Sequence, residues 1–555
     1  MMKPIFLFLI VISLCQFAFG QAISADLVVI NANIRTMDAK RTVVRSIATL
    51  NGKIIALGSD ADTRSLVGPK TKVIDAGGKT IIPGFNDAHV HFMETGYQLS
   101  SVDLRDAKSP EEFVARIKAF ATKIPKGRWI LGGQWDHENW TPNNLPTAAL
   151  IDAATPDNPV FVNRLDGHMA LANSLAMRLA KVDKSARDVA GGEIVRDPSG
   201  NPTGIFKDAA SSYIERAIPA ASFEQKLESA LAATEHAASL GITSVQDMSA
   251  GTDIGVYQEL ARQGKLKTRI YGCSPLGDYK RWANTGVRHA FGSQMLRVGC
   301  LKGFADGSLG STTAWFFEPY LDAPNSTGLS MPDVTTTMRS DIENADKAGL
   351  QVRIHAIGDR ANATILDHYA AVEKANGPAD RRFSIEHAQH LRVEDIKRFG
   401  SQKVVASMQP FHIIDDGRWA WKRIDEQRLK GTYAFRTLLD TGAVLAFGSD
   451  SPVAPLNPIL GVYGAVTRRT LDEKNPAGWL PEQKISVDES VRAFTWGSAY
   501  AEFQDKAKGT LEIGKLADFV ILSADIFVID ASKINQVNVV TTVVDGKVAF
   551  DRNAK

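Results

Sequence analysis

The chain has 555 residues, 44% of them apolar and 23% charged, which is an ordinary globular composition on a chain too long for one simple core. A formal net charge of +2 excludes the strongly basic surface of a nucleic-acid-binding protein. Beyond the N-terminus no stretch is long and apolar enough to span a membrane.

Residues 1–20 differ from the rest. Lys3 is their only charge, residues 5–19 are almost continuously apolar, and Ala18-Phe19-Gly20 offers small residues for cleavage. This pattern predicts a signal peptide and a periplasmic or secreted protein with no membrane contact after cleavage; the alternative is an anchor that stays attached. Of the three cysteines, Cys15 leaves with that segment. Cys273 and Cys300 both sit in apolar, strand-like runs and are expected as two buried thiols rather than a disulfide. No Cys-x-x-Cys pair suggests a thiolate metal site.

Residues 26–30, 46–50 and 53–57 read as short strands, with Asn51-Gly52 as a two-residue hairpin turn. The C-terminal end looks the same: strand-like runs at 517–522, 539–544 and 547–550, with Asp545-Gly546 between the last two. The two ends, 21–79 and 506–555, are therefore expected to build one β-sandwich. Between them, 80–505 alternates apolar runs with stretches of helical spacing. The run Thr80-Ile81-Ile82 leads into Pro83-Gly84-Phe85-Asn86-Asp87-Ala88-His89-Val90-His91-Phe92, read as one buried strand. Seven more runs follow at 242–248, 269–273, 298–304, 351–356, 383–388, 404–408 and 444–447. Eight strand–helix units predict an α/β fold, a TIM-type (β/α)8 barrel, interrupted after its first strand by an insert at about 100–222 with strands of its own at 129–132 and 160–163.

A barrel of this kind carries its active site at the C-terminal ends of its strands. Alternate residues of an extended chain share a face, so His89 and His91 converge with Val90 turned away. Other strand ends supply Lys302 (Leu301-Lys302-Gly303-Phe304-Ala305-Asp306), His355 (Arg353-Ile354-His355-Ala356), His387 (Ile385-Glu386-His387-Ala388) and Asp450 (Gly448-Ser449-Asp450). Imidazoles and a carboxylate meeting at one rim suit a first-row divalent metal, zinc first, with iron, manganese or cobalt also compatible. Glu386 and Asp87 stand beside these residues but alternate away from them, and read as scaffold. His412 carries a weaker signal.

The motif set resembles the amidohydrolase superfamily, and within it the amidohydrolase-3, YtcJ-like branch that includes N-substituted formamide deformylases. Pro-Gly-Phe-x-Asp-x-His-x-His, Lys302 in Lys-Gly-Phe-Ala-Asp-Gly-Ser, Glu386-His387, Gly448-Ser449-Asp450 and the stretch from Gly509 to Asp518 carry the likeness. It implies a metal-dependent hydrolase of carbon–nitrogen bonds outside ordinary peptides, acting on a small amide-type molecule. His89, His91 and Asp450 would bind one metal and His355 and His387 a second. Carboxylated Lys302 would bridge two ions; otherwise one ion is held and Lys302 is a cation for substrate or structure. Metal-bound hydroxide would attack the carbonyl carbon, with Asp450 as general base and acid. His168, Trp135, Asp306 and Ser308 are candidate substrate contacts. The same site would also suit esters, lactones or phosphotriesters, and a non-catalytic binding protein on the barrel is the reading from another class. The number of subunits is left open.

Overall fold

The computed structural model describes residues 24–164, 169–189 and 192–554. The expected signal peptide and His168 lie outside the described residues. No helix among the described residues is long and apolar enough to cross a membrane.

Both chain ends meet in a two-sheet sandwich. One sheet runs in the order Lys53–Gly58, Ser46–Leu50, Leu27–Ile30, Lys72–Asp75; the other runs Lys547–Asp551, Val539–Val544, Phe519–Leu522, Thr80–Pro83, Asn33–Arg35, Val43–Val44. Their facing apolar residues, among them Val29, Ile47, Ile81, Phe519 and Val543, form one buried cluster. Asn51 and Gly52 have φ of 50° and 73°, and Asp545 and Gly546 have 54° and 70°, the left-handed pair that a two-residue hairpin needs. The two turns touch: a Cβ on Gly52 would lie 2.5 Å from an Asp545 carboxylate oxygen.

Eight parallel strands form the barrel: β1 (Phe85–Val90), β2 (Ile242–Asp247), β3 (Arg269–Pro275), β4 (Leu296–Phe304), β5 (Gln351–Ala356), β6 (Ser384–His387), β7 (Val405–Met408) and β8 (Leu445–Phe447), each paired with its sequence neighbour. They are almost entirely buried, as strands covered on both faces must be. The run expected as one first strand is two. Thr80–Pro83 pairs with Asn33–Arg35 and Phe519–Leu522 in the sandwich, and β1 begins after Gly84. Gly84 is where the chain changes sheets: its N–H donates to Asp518 O at 3.0 Å, and a Cβ there would lie 2.1 Å from the Thr243 side chain.

The insert forms its own six-stranded sheet, in the order Gly192–Arg196, Pro202–Asp208, Met169–Ala172, Phe161–Arg164, Gly132–Trp135, Val102–Asp103. The strand expected at 129–132 falls three residues later, because before Gly132, where the ladder to Val102 begins, that run makes only an isolated bridge at Ile130.

The two thiols expected to be free are joined. Cys273 on β3 and Cys300 on β4 are direct partners in the parallel ladder, and they form a disulfide with Cα atoms 4.4 Å apart. Apolar surroundings hid this pairing; the strand register decides it.

Arg269, at the start of β3, locks barrel to sandwich. It is 3% exposed and donates to both carboxylate oxygens of Asp518, at 2.7 and 2.9 Å, and to Asp545 at 3.2 Å. Breaking one side of a buried pair leaves the other charge unpaired, at about 3–5 kcal/mol. Arg269→Met should therefore lower stability by about that amount in thermal or denaturant melting; a wild-type transition would contradict this role.

Candidate metal centre

The cluster at the barrel's C-terminal rim is built by its closure. β8 makes no ladder with β1. Asp450 N–H donates instead to His89 O at 2.7 Å, and His91 N–H donates to Ser451 O at 2.9 Å. Buried Asp87 accepts from His89 N–H at 3.1 Å and Ser449 N–H at 3.0 Å, tying both segments with one carboxylate oxygen. Burial pushes Asp87 up to about 7. At the next strand, Asp247 takes the Phe92 N–H and the Tyr257 hydroxyl, anchoring the helix that starts immediately after His91.

Three of the four histidines expected as ligands spend one ring nitrogen on a protein oxygen. His89 Nδ1 lies 2.6 Å from Glu386 Oε2, His387 Nδ1 lies 2.7 Å from Gln409 Oε1, and His355 Nε2 lies 3.0 Å from Gly307 O. Such bonds fix the tautomer and leave the opposite nitrogen for a ligand. The His89 and His387 ring centroids are 4.8 Å apart, and those of His355 and His387 are 4.5 Å apart. Buried His89 Nε2 has no hydrogen-bond partner among the described residues, and neither does Lys302 Nζ.

Asp450 Oδ1 lies 3.3 Å from His89 Nε2 and 3.4 Å from His91 Nε2. Two donors each about 2.0–2.1 Å from a tetrahedral ion stand about 3.3–3.4 Å apart, so both carboxylate–imidazole spacings suit zinc. The donor set fits a divalent cation.

The charges fit as well. Burial, aided by His355 and His89, holds His387 far below the ordinary histidine range; burial and Lys302 hold His355 down to about 3. Burial lowers Lys302 to about 8. Burial alone would raise Asp450, but His89, His91 and His387 outweigh it and keep the carboxylate ionised. Burial also lowers His91, the most exposed of the group, but the bond and charge of Asp450 raise it overall. Neutral His355 and His387 beside an anionic Asp450 are the forms a cation binds.

Two residues join the site unforeseen. His412 lies four residues beyond β7, in the helix Pro410–Asp416, with a buried and unpartnered Nε2 3.9 Å from Asp450 Oδ2. Its only sequence signal is that it follows a strand end. Glu386, expected to point away, faces the cluster. The two-residue alternation fails because His387 and Ala388 take φ of 74° and 43°, so consecutive side chains both turn inward.

The expected substrate contacts fare less well. Trp135 is fully buried in the insert core, packed on Phe113 and Trp140 with its indole N–H donating to Val162 O, and it cannot touch a ligand. Asp306 is 1% exposed and its carboxylate accepts the Trp315, Ile357 and Gly358 N–H groups, so it ties the loops after β4 and β5 rather than meeting substrate. Ser308 is exposed, its hydroxyl 2.8 Å from that of Ser311. Phe304, 45% exposed at the end of β4, has its ring 5.3 Å from that of His355. A cavity of about 1150 Å³ lies beside the cluster rather than over it, between the helix Phe92–Leu99, the insert and the loop 451–457.

Residues 72–550 match the family model described as the amidohydrolase family. Over 540 residues the chain is 39% identical to Protein LONG AFTER FAR-RED 3 of Arabidopsis thaliana, covering 95% of this chain and 91% of that one. It is 31% identical to YtcJ of Bacillus subtilis (strain 168), provisionally named an amidohydrolase, covering 87% and 92%. It is 26% identical to the N-substituted formamide deformylase of Arthrobacter pascens, covering 95% and 98%. The crystal structure of an uncharacterized metal-dependent hydrolase from Pyrococcus furiosus superposes with a TM-score of 0.76 at 30% identity, covering 90% of this chain and 99% of that one. With its barrel, its His/Asp cluster and a match over most of its length, the chain belongs to the amidohydrolase family, in its YtcJ-like branch.

Proposed function

We propose that the protein is an exported, metal-dependent hydrolase that cleaves a carbon–nitrogen bond, outside ordinary peptides, in a small amide-type substrate. The observation that carries this reading is the set of imidazoles whose outer nitrogens are held by protein oxygens while Asp450 Oδ1 stands 3.3 and 3.4 Å from two inner ones. Its likeness to a deformylase of N-substituted formamides supports the choice of bond. The apolar leader at 1–20 supports export.

His89, His91 and Asp450 would hold one ion, zinc first. His355, His387 and Lys302 would hold a second, with Lys302 as a carbamate: its neutral amine adds to carbon dioxide and loses a proton, giving an anion where an ammonium would be repelled. A bound cation of this kind lowers the pKa of a water molecule and polarises a carbonyl oxygen.

The chain's own residues do the rest. Asp450, through Oδ2, the oxygen not set against His89 and His91, takes a proton from the attacking water and returns it to the departing nitrogen. Glu386 and Gln409 keep His89 and His387 in one tautomer throughout. His412 Nε2, across a 3.9 Å gap from Asp450 Oδ2, is placed to donate to the substrate oxygen. Phe304 offers an apolar edge to a substituent on the substrate.

Dialysis against a chelator should abolish hydrolysis and added zinc or manganese should restore it; activity that survives verified metal removal would overturn the reading. Asp450→Asn should retain most of the metal yet lose about 10²–10⁴-fold in kcat, the usual worth of general acid–base catalysis, and an undiminished rate would exclude Asp450 as the base. In a panel of N-formyl amines, N-acyl amino acids, aryl esters, lactones and phosphotriesters, the highest kcat/KM should fall on an amide; turnover confined to the oxygen esters would replace the assignment of the bond while leaving the metal site intact.

A further inference from the structure

Arg353 is a charge with no role in the chemistry above, yet it lies fully buried inside the barrel, directly behind the cluster. From the middle of β5 its guanidinium reaches four other strands. Nε donates to Glu386 Oε1 on β6 at 2.7 Å, Nη1 to Gln246 Oε1 on β2, and Nη2 to Ala88 O on β1 at 2.9 Å and to Ser407 Oγ on β7 at 3.3 Å. A guanidinium is costly to bury, and two of the acceptors that satisfy this one, Glu386 and the Ala88 carbonyl, adjoin a single histidine, His89.

We propose that Arg353 is a positioning residue for the cation site, acting through Glu386 and the β1 backbone to hold His89 with its proton on Nδ1 and its Nε2 lone pair turned to the ion. The inference rests on the reading of the cluster as a cation centre. Two contacts carry it. First, Glu386 Oε1 is taken by Arg353 and by the Ser384 hydroxyl at 2.9 Å, so only Oε2 remains, and it meets His89 Nδ1 at 2.6 Å. An ionised carboxylate only accepts, so Nδ1 must carry the hydrogen of that bond, and Nε2 is the nitrogen left for an ion. Second, the peptide unit between Ala88 and His89 is held at both ends, its C=O by Arg353 and its N–H by Asp87. Ring orientation and the proton on Nδ1 are thus both set from behind, and Nε2 faces Asp450 Oδ1 across 3.3 Å.

Zinc binding to the chelator-stripped full chain, read by competition with a chromophoric chelator, tests this without reference to activity. Glu386→Asp keeps the charge and the pairing with Arg353 but withdraws the carboxylate from His89. Glu386→Gln removes the charge. Arg353→Met with Glu386→Gln removes both buried charges together, which spares the fold an unpaired ion. Each variant should fold by circular dichroism and bind zinc about 10–100-fold more weakly than wild type, the usual cost of losing a partner behind a metal ligand. A merely structural role would lower the melting temperature of the metal-free protein and leave the zinc Kd of the folded chain unchanged. A zinc Kd within twofold of wild type in whichever of these variants folds overturns the inference alone. A wild-type chain that takes up no zinc overturns the cation-centre reading beneath it.

Discussion

The seam between the last barrel strand and the first is the constraint on which the site depends. A parallel barrel ordinarily closes by ladder pairing; here β8 is only three residues long, and the closing bonds come from the loop that follows it. His89 O, His91 N–H and the Asp87 carboxylate take up Asp450, Ser451 and Ser449 in turn. The bonds that close the fold are therefore the bonds that place Asp450 against His89 and His91. Gly448 permits this approach: a Cβ there would lie 2.4 Å from His89 N. Any change that loosened the seam would move a ligand and its partner apart together.

Behind the seam the barrel interior is polar, against the usual expectation of a branched aliphatic filling. Arg353, Glu386, Gln246 and Ser407 fill the space under the histidines, all fully buried, with Arg353 donating to the other three. Such a network is stable only when its members are satisfied, and its rigidity suits a site whose ligands must not relax toward one another when no cation separates them. The sandwich contributes from below, through Arg269 and Asp518 and through the switch of sheets at Gly84.

The barrel was legible in the sequence because parallel strands buried on both faces are written as apolar runs, and all seven runs after the first fall on strands. The first run misled at one point: Thr80–Pro83 is as apolar as β1, and only the change of sheet at Gly84 separates them. The rim residues His89, His91 and Asp450 were legible because each sits at a strand end, where periodicity and topology agree. Glu386 was not, since a left-handed residue at His387 broke the alternation that the reading assumed. His412 lies on a helix that folds back over the site, a placement that depends on tertiary packing. Trp135 and Asp306 were misplaced for the opposite reason: an aromatic or an acid near a glycine-rich turn has the same local signature whether it faces a ligand or packs and caps the interior. The Cys273–Cys300 bridge needs the relative register of β3 and β4, which no local pattern contains.

The central claim is that His89, His91 and Asp450 surround one divalent cation at the seam. Zinc-edge anomalous diffraction from crystals of the zinc-loaded wild-type protein tests it most directly. The account predicts an anomalous peak between His89 Nε2, His91 Nε2 and Asp450 Oδ1, about 2.0–2.2 Å from each. Full zinc occupancy elsewhere on the chain, with these three side chains drawn together by direct hydrogen bonds and no ion between them, would contradict it.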